Sequence, residues 1–239
     1  MVKYLFTLNI VTTMLVLLLV AGCAPSINPA LKKRVDSYTA TASKKTYDSD
    51  ELFTKPMPWA VGQYIVTRTV DGDGKPSIAR MSIVEKKKNG WILEVHTLSY
   101  TAESLAQLYV SGFDKGTEVR SLNDLDIKWT KIKDKDGKIT KVDGNALGFA
   151  QSLEKSGVVT TSVDAGKKAK GTIKVPAGKF RNVTVFEGRG KIGGFIDFKS
   201  SGWYHPQVPI FGSIKTTTST PKTKMELLKF GLSGAKSKF

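Results

Sequence analysis

The stretch SIARMSIVEKKKNGWILEVHTL, Ser77 to Leu98, decides the fold. Before its centre, Ala79, Met81 and Ile83 alternate with Arg80 and Ser82. After it, Trp91, Leu93 and Val95 alternate with Glu94 and His96. A period of two over such lengths is the signature of strands with one buried face. Between the two runs stands Asn89-Gly90, the dipeptide that most readily supplies the positive φ angles of a two-residue hairpin turn. The stretch therefore predicts a β-hairpin, with Trp91, Leu93 and Val95 facing a core and His96 facing away from it.

The same pattern continues in both directions. Upstream, VGQYIVTRTV (61–70) is rich in β-branched residues and is followed by the turn DGDGKP (71–76), which makes a three-stranded meander. Downstream, LDIKWTKI and GKITKV form a second hairpin across KDKDG (133–137). VVTTSV, KGTIKV, FRNVTVFEG, GFIDFKS and KTKMELLKFG add further strands. Two interruptions read as helices. Thr101 is a candidate N-cap, with Leu105, Leu108, Tyr109, Gly112 and Phe113 recurring at spacings of three and four. Asn145 is a second candidate cap, with Ala146, Phe149, Ala150 and Leu153 on one stripe ending before Gly157. No strand–helix–strand alternation appears, so a parallel sheet is not expected. A sheet this wide must curl. The expected fold is mainly β, of the α+β class. It is a curved antiparallel sheet or incomplete β-barrel of about ten strands, with two short helices covering the concave side.

The chain has 239 residues, a formal net charge of +16 and a single cysteine, Cys23. It begins with Lys3, an apolar run, and then Val20-Ala21-Gly22 ahead of Cys23. Apolar, small, small and Cys at the end of such a run resembles the lipobox of bacterial lipoproteins. That resemblance implies a signal peptide over 1–22, cleavage between Gly22 and Cys23, and acylation of Cys23, with palmitate or a similar chain as the membrane anchor. The polar residues Thr7, Asn9, Thr12 and Thr13 interrupt the run, which is short for a transmembrane span. Residues 23–55, rich in Ser, Thr and charge, are expected as a flexible tether, with a short helix over NPALKKRVDSY. Residues 56–232 are expected as the folded domain and 233–239 as a basic tail. Loss of Lys3 with the signal leaves +15 on the mature chain. A charge of this size suits anionic lipid or an acidic polymer, and equally serves solubility and the blunting of sheet edges. Nucleic acid is not expected as the partner of an exported chain.

Trp59, Gly62, Gln63 and Tyr64 precede the first strand. VPAGKF (175–180), GWYHPQVPIFGSIK (202–215) and MELLKFG (225–231) follow in that order. This succession of turns and aromatics resembles periplasmic lipoproteins of the LolA/LolB-like half-barrel superfamily. The resemblance implies an incomplete barrel with a helical lid over an apolar cavity, often for acyl chains. It implies a location facing the periplasm. Ala24 after Cys23, with no Asp there, points to the outer membrane before the inner. Trp203, Tyr204, His205 and Phe211 are then candidates for the rim of the cavity, and Leu105, Leu108 and Phe113 for the helix covering it. The residues alone also fit a rigid corner, since Pro206 and Pro209 remove two ladder donors and force an extended crossing.

Motifs for other chemistry fail on context. GRGKIG (188–193) matches the glycine pattern of a dinucleotide loop but runs into a strand pattern rather than a helix. KDKDGKITKVDG lacks a ligand where an EF-hand loop begins and has Asp143 where it needs a bidentate Glu. The two histidines, His96 and His205, come with no second cysteine and no Gly-x-Ser-x-Gly elbow. No catalytic residue, metal site or cofactor is expected. The expected function is a non-enzymatic lipoprotein that binds or carries an apolar or amphiphilic ligand. The alternative is a structural or assembly factor of the cell envelope that binds a protein or an anionic polymer.

Overall fold

The computed structural model describes residues 26–38, 43–111, 126–134, 136–143, 159–163, 167–169, 171–192 and 196–239. One helix, α1 (Pro29–Ser37), precedes the strands. The first strands are β1 (Thr46–Tyr47), β2 (Tyr64–Val70), β3 (Pro76–Lys87), β4 (Gly90–Ser99) and β5 (Glu103–Ser111). Next come β6 (Asp126–Lys133), β7 (Ile139–Asp143), β8 (Val159–Val163), β9 (Lys167–Lys168), β10 (Ile173–Val175) and β11 (Gly178–Phe180). The last are β12 (Thr184–Ile192), β13 (Ile196–Tyr204), β14 (Ser213–Ser219) and β15 (Lys222–Gly231).

Eleven strands form one large, curved, open antiparallel sheet in the order β7-β6-β5-β4-β3-β2-β15-β14-β13-β12-β8, and β9 also pairs with β12. The β3–β4 hairpin turns through Lys88-Asn89, one residue before the expected Asn89-Gly90, with Lys87 opposite Gly90. A second, three-stranded sheet has the order β1-β11-β10. It packs against the large sheet on what is called here the inner face, the one carrying Ile65, Met81, Leu93 and Leu108. Phe180 and Val183 from the small sheet and the loop after it are fully buried there. Gly178 lets β1 approach: its φ is +146°, and a Cβ would lie 2.7 Å from the Lys45 carbonyl oxygen.

The segment after Thr101, expected as a helix, is strand β5. Its Ala106, Leu108 and Val110 lie on one face, while Leu105, Gln107 and Tyr109 lie on the other. Apolar residues on both sides of a central strand reproduce helical spacings by coincidence. Thr101 sits in a tight turn in which Ser99 N–H donates to the Ala102 carbonyl. Phe113 and the helix expected from Asn145 lie outside the described residues, as do the signal peptide and Cys23.

The helix over Pro29–Ser37 is present, but on the outer face. Val35 (1% exposed) packs among Val66, Ile78, Leu98 and Leu228. Asn28 caps it, its side-chain oxygen accepting from Ala30 and Leu31 N–H. The flexible tether expected over 23–55 is corrected by three attachments: α1, the β1–β11 pairing, and Phe53 at 2% exposure. The reason is that Leu31, Val35, Tyr47 and Phe53 are spaced too widely to show a period, yet each finds an apolar site. The basic tail is also seated: Ala235 N–H donates to the Gly62 carbonyl, and Ala235 is buried.

Candidate functional site

The corner SGWYHPQVPIFG joins β13 to β14. Its backbone is tied across the base by His205 N–H donating to the Gly212 carbonyl at 2.8 Å. Within it, Val208 N–H donates to the His205 carbonyl and Phe211 N–H to the Pro209 carbonyl. Ile210 takes φ +68° and is fully buried. A left-handed backbone is uncommon for a β-branched residue and persists only where its surroundings over-determine it. Here the Trp59 indole N–H donates to the Ile210 carbonyl at 3.0 Å, and the Trp59 ring meets Phe211 edge-on at 6.0 Å. Gly212 (φ +72°) admits the Phe53 ring, which a Cβ would meet at 2.1 Å.

Of the four residues expected at a cavity rim, three are core residues. Tyr204 is 1% exposed, stacks on Phe53 at 5.2 Å and meets Phe186 edge-on at 5.4 Å. Phe211 is 4% exposed. His205 is fully buried, its ring set edge-on to Phe180 at 5.3 Å, with Nδ1 accepting from Gln207 N–H. Burial pushes its pKa below the usual histidine value, while the Arg181 backbone and the Asp48 charge pull the other way. The ring is thus neutral at pH 7 and is placed for packing. Its Nε2 is buried without a hydrogen-bond partner among the described residues. Trp203 alone keeps solvent access, lying opposite Val185 and Lys215 with the Lys215 ammonium 4.8 Å from its ring centre. Leu105 and Leu108 are on opposite faces of β5, so no shared apolar stripe joins them.

The motifs set aside on context have structural roles. Gly188 to Ile192 lie in β12, and a strand follows. Asp134 Oδ1 accepts from Asp136 and Lys138 N–H, and Asp71 Oδ1 accepts from Asp73 and Lys75 N–H. Both carboxylates therefore brace their own hairpin turns. No group of three or more His, Cys, Asp or Glu side chains suited to a metal is found among the described residues.

A second constellation, on the outer face, was not foreseen. Glu103 receives a bidentate pair from Arg34 at 2.6 and 2.8 Å and bonds His96 Nε2 at 2.7 Å. The Arg34 guanidinium, helped by His96 and opposed by partial burial, holds the Glu103 pKa down to about 2. His96, expected to be exposed, is half-buried in this bridge. One register step away, Glu94 is 4% exposed and accepts from Gln107 Nε2, Ser237 Oγ and Lys238 N–H. The only sequence signal was negative: Glu94 and His96 fell on the face assigned to solvent, and Glu103 lay in the segment expected as a helix. Among them these groups fasten α1 and the C-terminal segment to β4 and β5. No protein family and no curated protein matches this sequence.

Proposed function

We propose that this chain is a non-enzymatic, lipid-anchored protein of the bacterial cell envelope, facing the periplasm, whose surface binds an anionic polymer or a partner protein. The observation that carries this reading is the filled inner face. Trp59, Phe180, Val208, Ile210 and Phe211, each at 6% exposure or less, occupy the side of the sheet where a carrier would hold its ligand. Recognition is then assigned to the outside of a mature chain whose formal net charge is +15. The lipobox around Cys23 supplies the address, and the absence of Asp after Cys23 favours the outer membrane.

Two measurements test this together. Metabolic labelling with palmitate should mark the wild-type protein and not the Cys23→Ala variant; label surviving the substitution removes the anchor. A fluorescent fatty acid offered to the purified protein should show no saturable uptake. Saturable uptake with one site per chain would restore the carrier reading, for which the half-exposed Trp203 is the one favourable residue.

A further inference from the structure

We infer that one end of the large sheet, the end bearing the β2–β3, β4–β5, β6–β7 and β14–β15 turns, lies against the bilayer and meets anionic lipid head groups. This rests on the acylated Cys23 of the proposed function. The pairings Val70 with Pro76, Leu98 with Glu103, Lys133 with Ile139 and Ser219 with Lys222 close these four hairpins. Ser77 opposite Ser99, Leu105 opposite Lys133 and Lys224 opposite Val70 put all four turns at the same end. The β3–β4 turn, closed by Lys87 and Gly90, is at the other end. β3 has 12 residues, which at about 3.3 Å each separates the two ends by roughly 36–40 Å.

Asn28 is fixed at the first of these ends. Its N–H donates to the Tyr100 carbonyl at 2.9 Å, in the β4–β5 turn, and α1 behind it is held by the Arg34–Glu103 pair and by the Tyr100 hydroxyl donating to Asp36 at 2.7 Å. Only five residue steps lead from Cys23 to Asn28. Fully extended, they reach at most about 18 Å. An acyl chain on Cys23 inserted in a membrane can therefore draw the turn end to the surface but cannot hold the sheet upright on its β3–β4 end, which would lift Asn28 roughly 36–40 Å away. A tether running freely to residue 55 would reach roughly 110 Å and impose no such choice. The chemistry at this end suits acidic lipid. Arg189 is opposite Lys199, Lys199 N–H donates to Ser219 Oγ, and Ser219 is opposite Lys222, so cations of β12, β13 and β15 gather at this end beside the carboxylates of its Asp71, Asp73, Asp134 and Asp136 turns. Attraction of such groups to anionic head groups acts within about a Debye length of the surface, a distance the short link secures.

The test uses the full chain in bilayers containing anionic lipid. Single cysteines placed at Lys138→Cys, Lys222→Cys and Lys88→Cys are labelled with a fluorophore and quenched by lipids carrying a head-group quencher. Labels at 138 and 222 should be quenched several-fold more than the label at 88. Equal quenching, or more at 88, overturns the inference. The mass of the Cys23 peptide is read in the same samples. Acylated Cys23 with the wrong quenching order sinks this orientation and leaves the anchor standing. Unmodified Cys23 with the expected order sinks the anchor and leaves the basic end as the membrane face. Identical quenching in neutral and anionic lipid would remove the charge from the explanation.

Discussion

On the inner face of the large sheet, middle segments of the chain are wedged in by size: Trp59, Phe180, Ile210 and Phe211 fill the space with rings and branched carbons. On the outer face, beside the apolar seat of Val35, the covering segments are tied by polar bonds: the Arg34–Glu103 ion pair, and Ser237 Oγ and Lys238 N–H donating to the buried Glu94 carboxylate. The two coverings differ in what they cost to open. Apolar burial is insensitive to salt and pH and is lost only when the wedge leaves altogether. Ion pairs at a half-exposed surface are individually weak, screened by salt and tied to protonation. The inner covering thus rests on apolar burial alone, while the outer one adds an ion pair that salt and pH can loosen.

The sharpest way to break this contrast is Phe180→Ala. The ring is fully buried between Tyr47, stacked at 4.7 Å, and His205. Its loss should lower unfolding free energy in urea by about 3–5 kcal/mol. A loss near zero would mean that the small sheet is a loose attachment. Next comes Trp203→Ala, which removes a half-exposed ring and its contact with Lys215. It should cost about 1–2 kcal/mol, and a loss as large as that of Phe180 would place Trp203 in the wedge as well.

The smallest effect at neutral pH belongs to Glu103→Gln, about 1 kcal/mol or less at this partly solvated site. Its value is in the pH profile. The folded pKa of Glu103 is about 2, below its ordinary value of 4.5. The stability it contributes is therefore complete above pH 4.5 and is lost as pH falls from 4.5 toward 2. Wild-type melting temperature should decline across that window, and the Gln variant should decline less. Identical profiles would show that the outer strap contributes nothing through charge.

Which parts of this were readable beforehand follows from range. Asn89-Gly90 and the alternation around it are local, so β3 and β4 were legible. Asn28 before Pro29 marks a helix start in a few residues, and α1 was legible too. Pro206 and Pro209 announced a rigid corner. The destination of that corner was not legible, because Trp59 and Phe53 meet it from far along the chain. Leu105 and Leu108 misled because β5 has apolar residues on both faces. Glu94 misled for the opposite reason: it alternates like a solvent-facing residue, and only the return of Ser237 and Lys238 buries it. A pattern reports which side of a strand a residue takes, not what later comes to lie on that side.

The neighbour of β2 in the sheet is β15, with Tyr64 opposite Gly231 and Val70 opposite Lys224. The large sheet is therefore two runs of successive hairpins sewn together along a seam between its earliest and latest members. During synthesis, β2 through β7 can pair with near neighbours as they emerge, but β2 keeps an open edge until the last strand arrives. Pairings between such distant segments form slowly, and an exposed edge in the interval invites pairing with other chains. A chain shortened by its final eighteen residues would lose not a peripheral strand but the stitch at the centre. The two half-sheets would then be left to associate with whatever edges they meet.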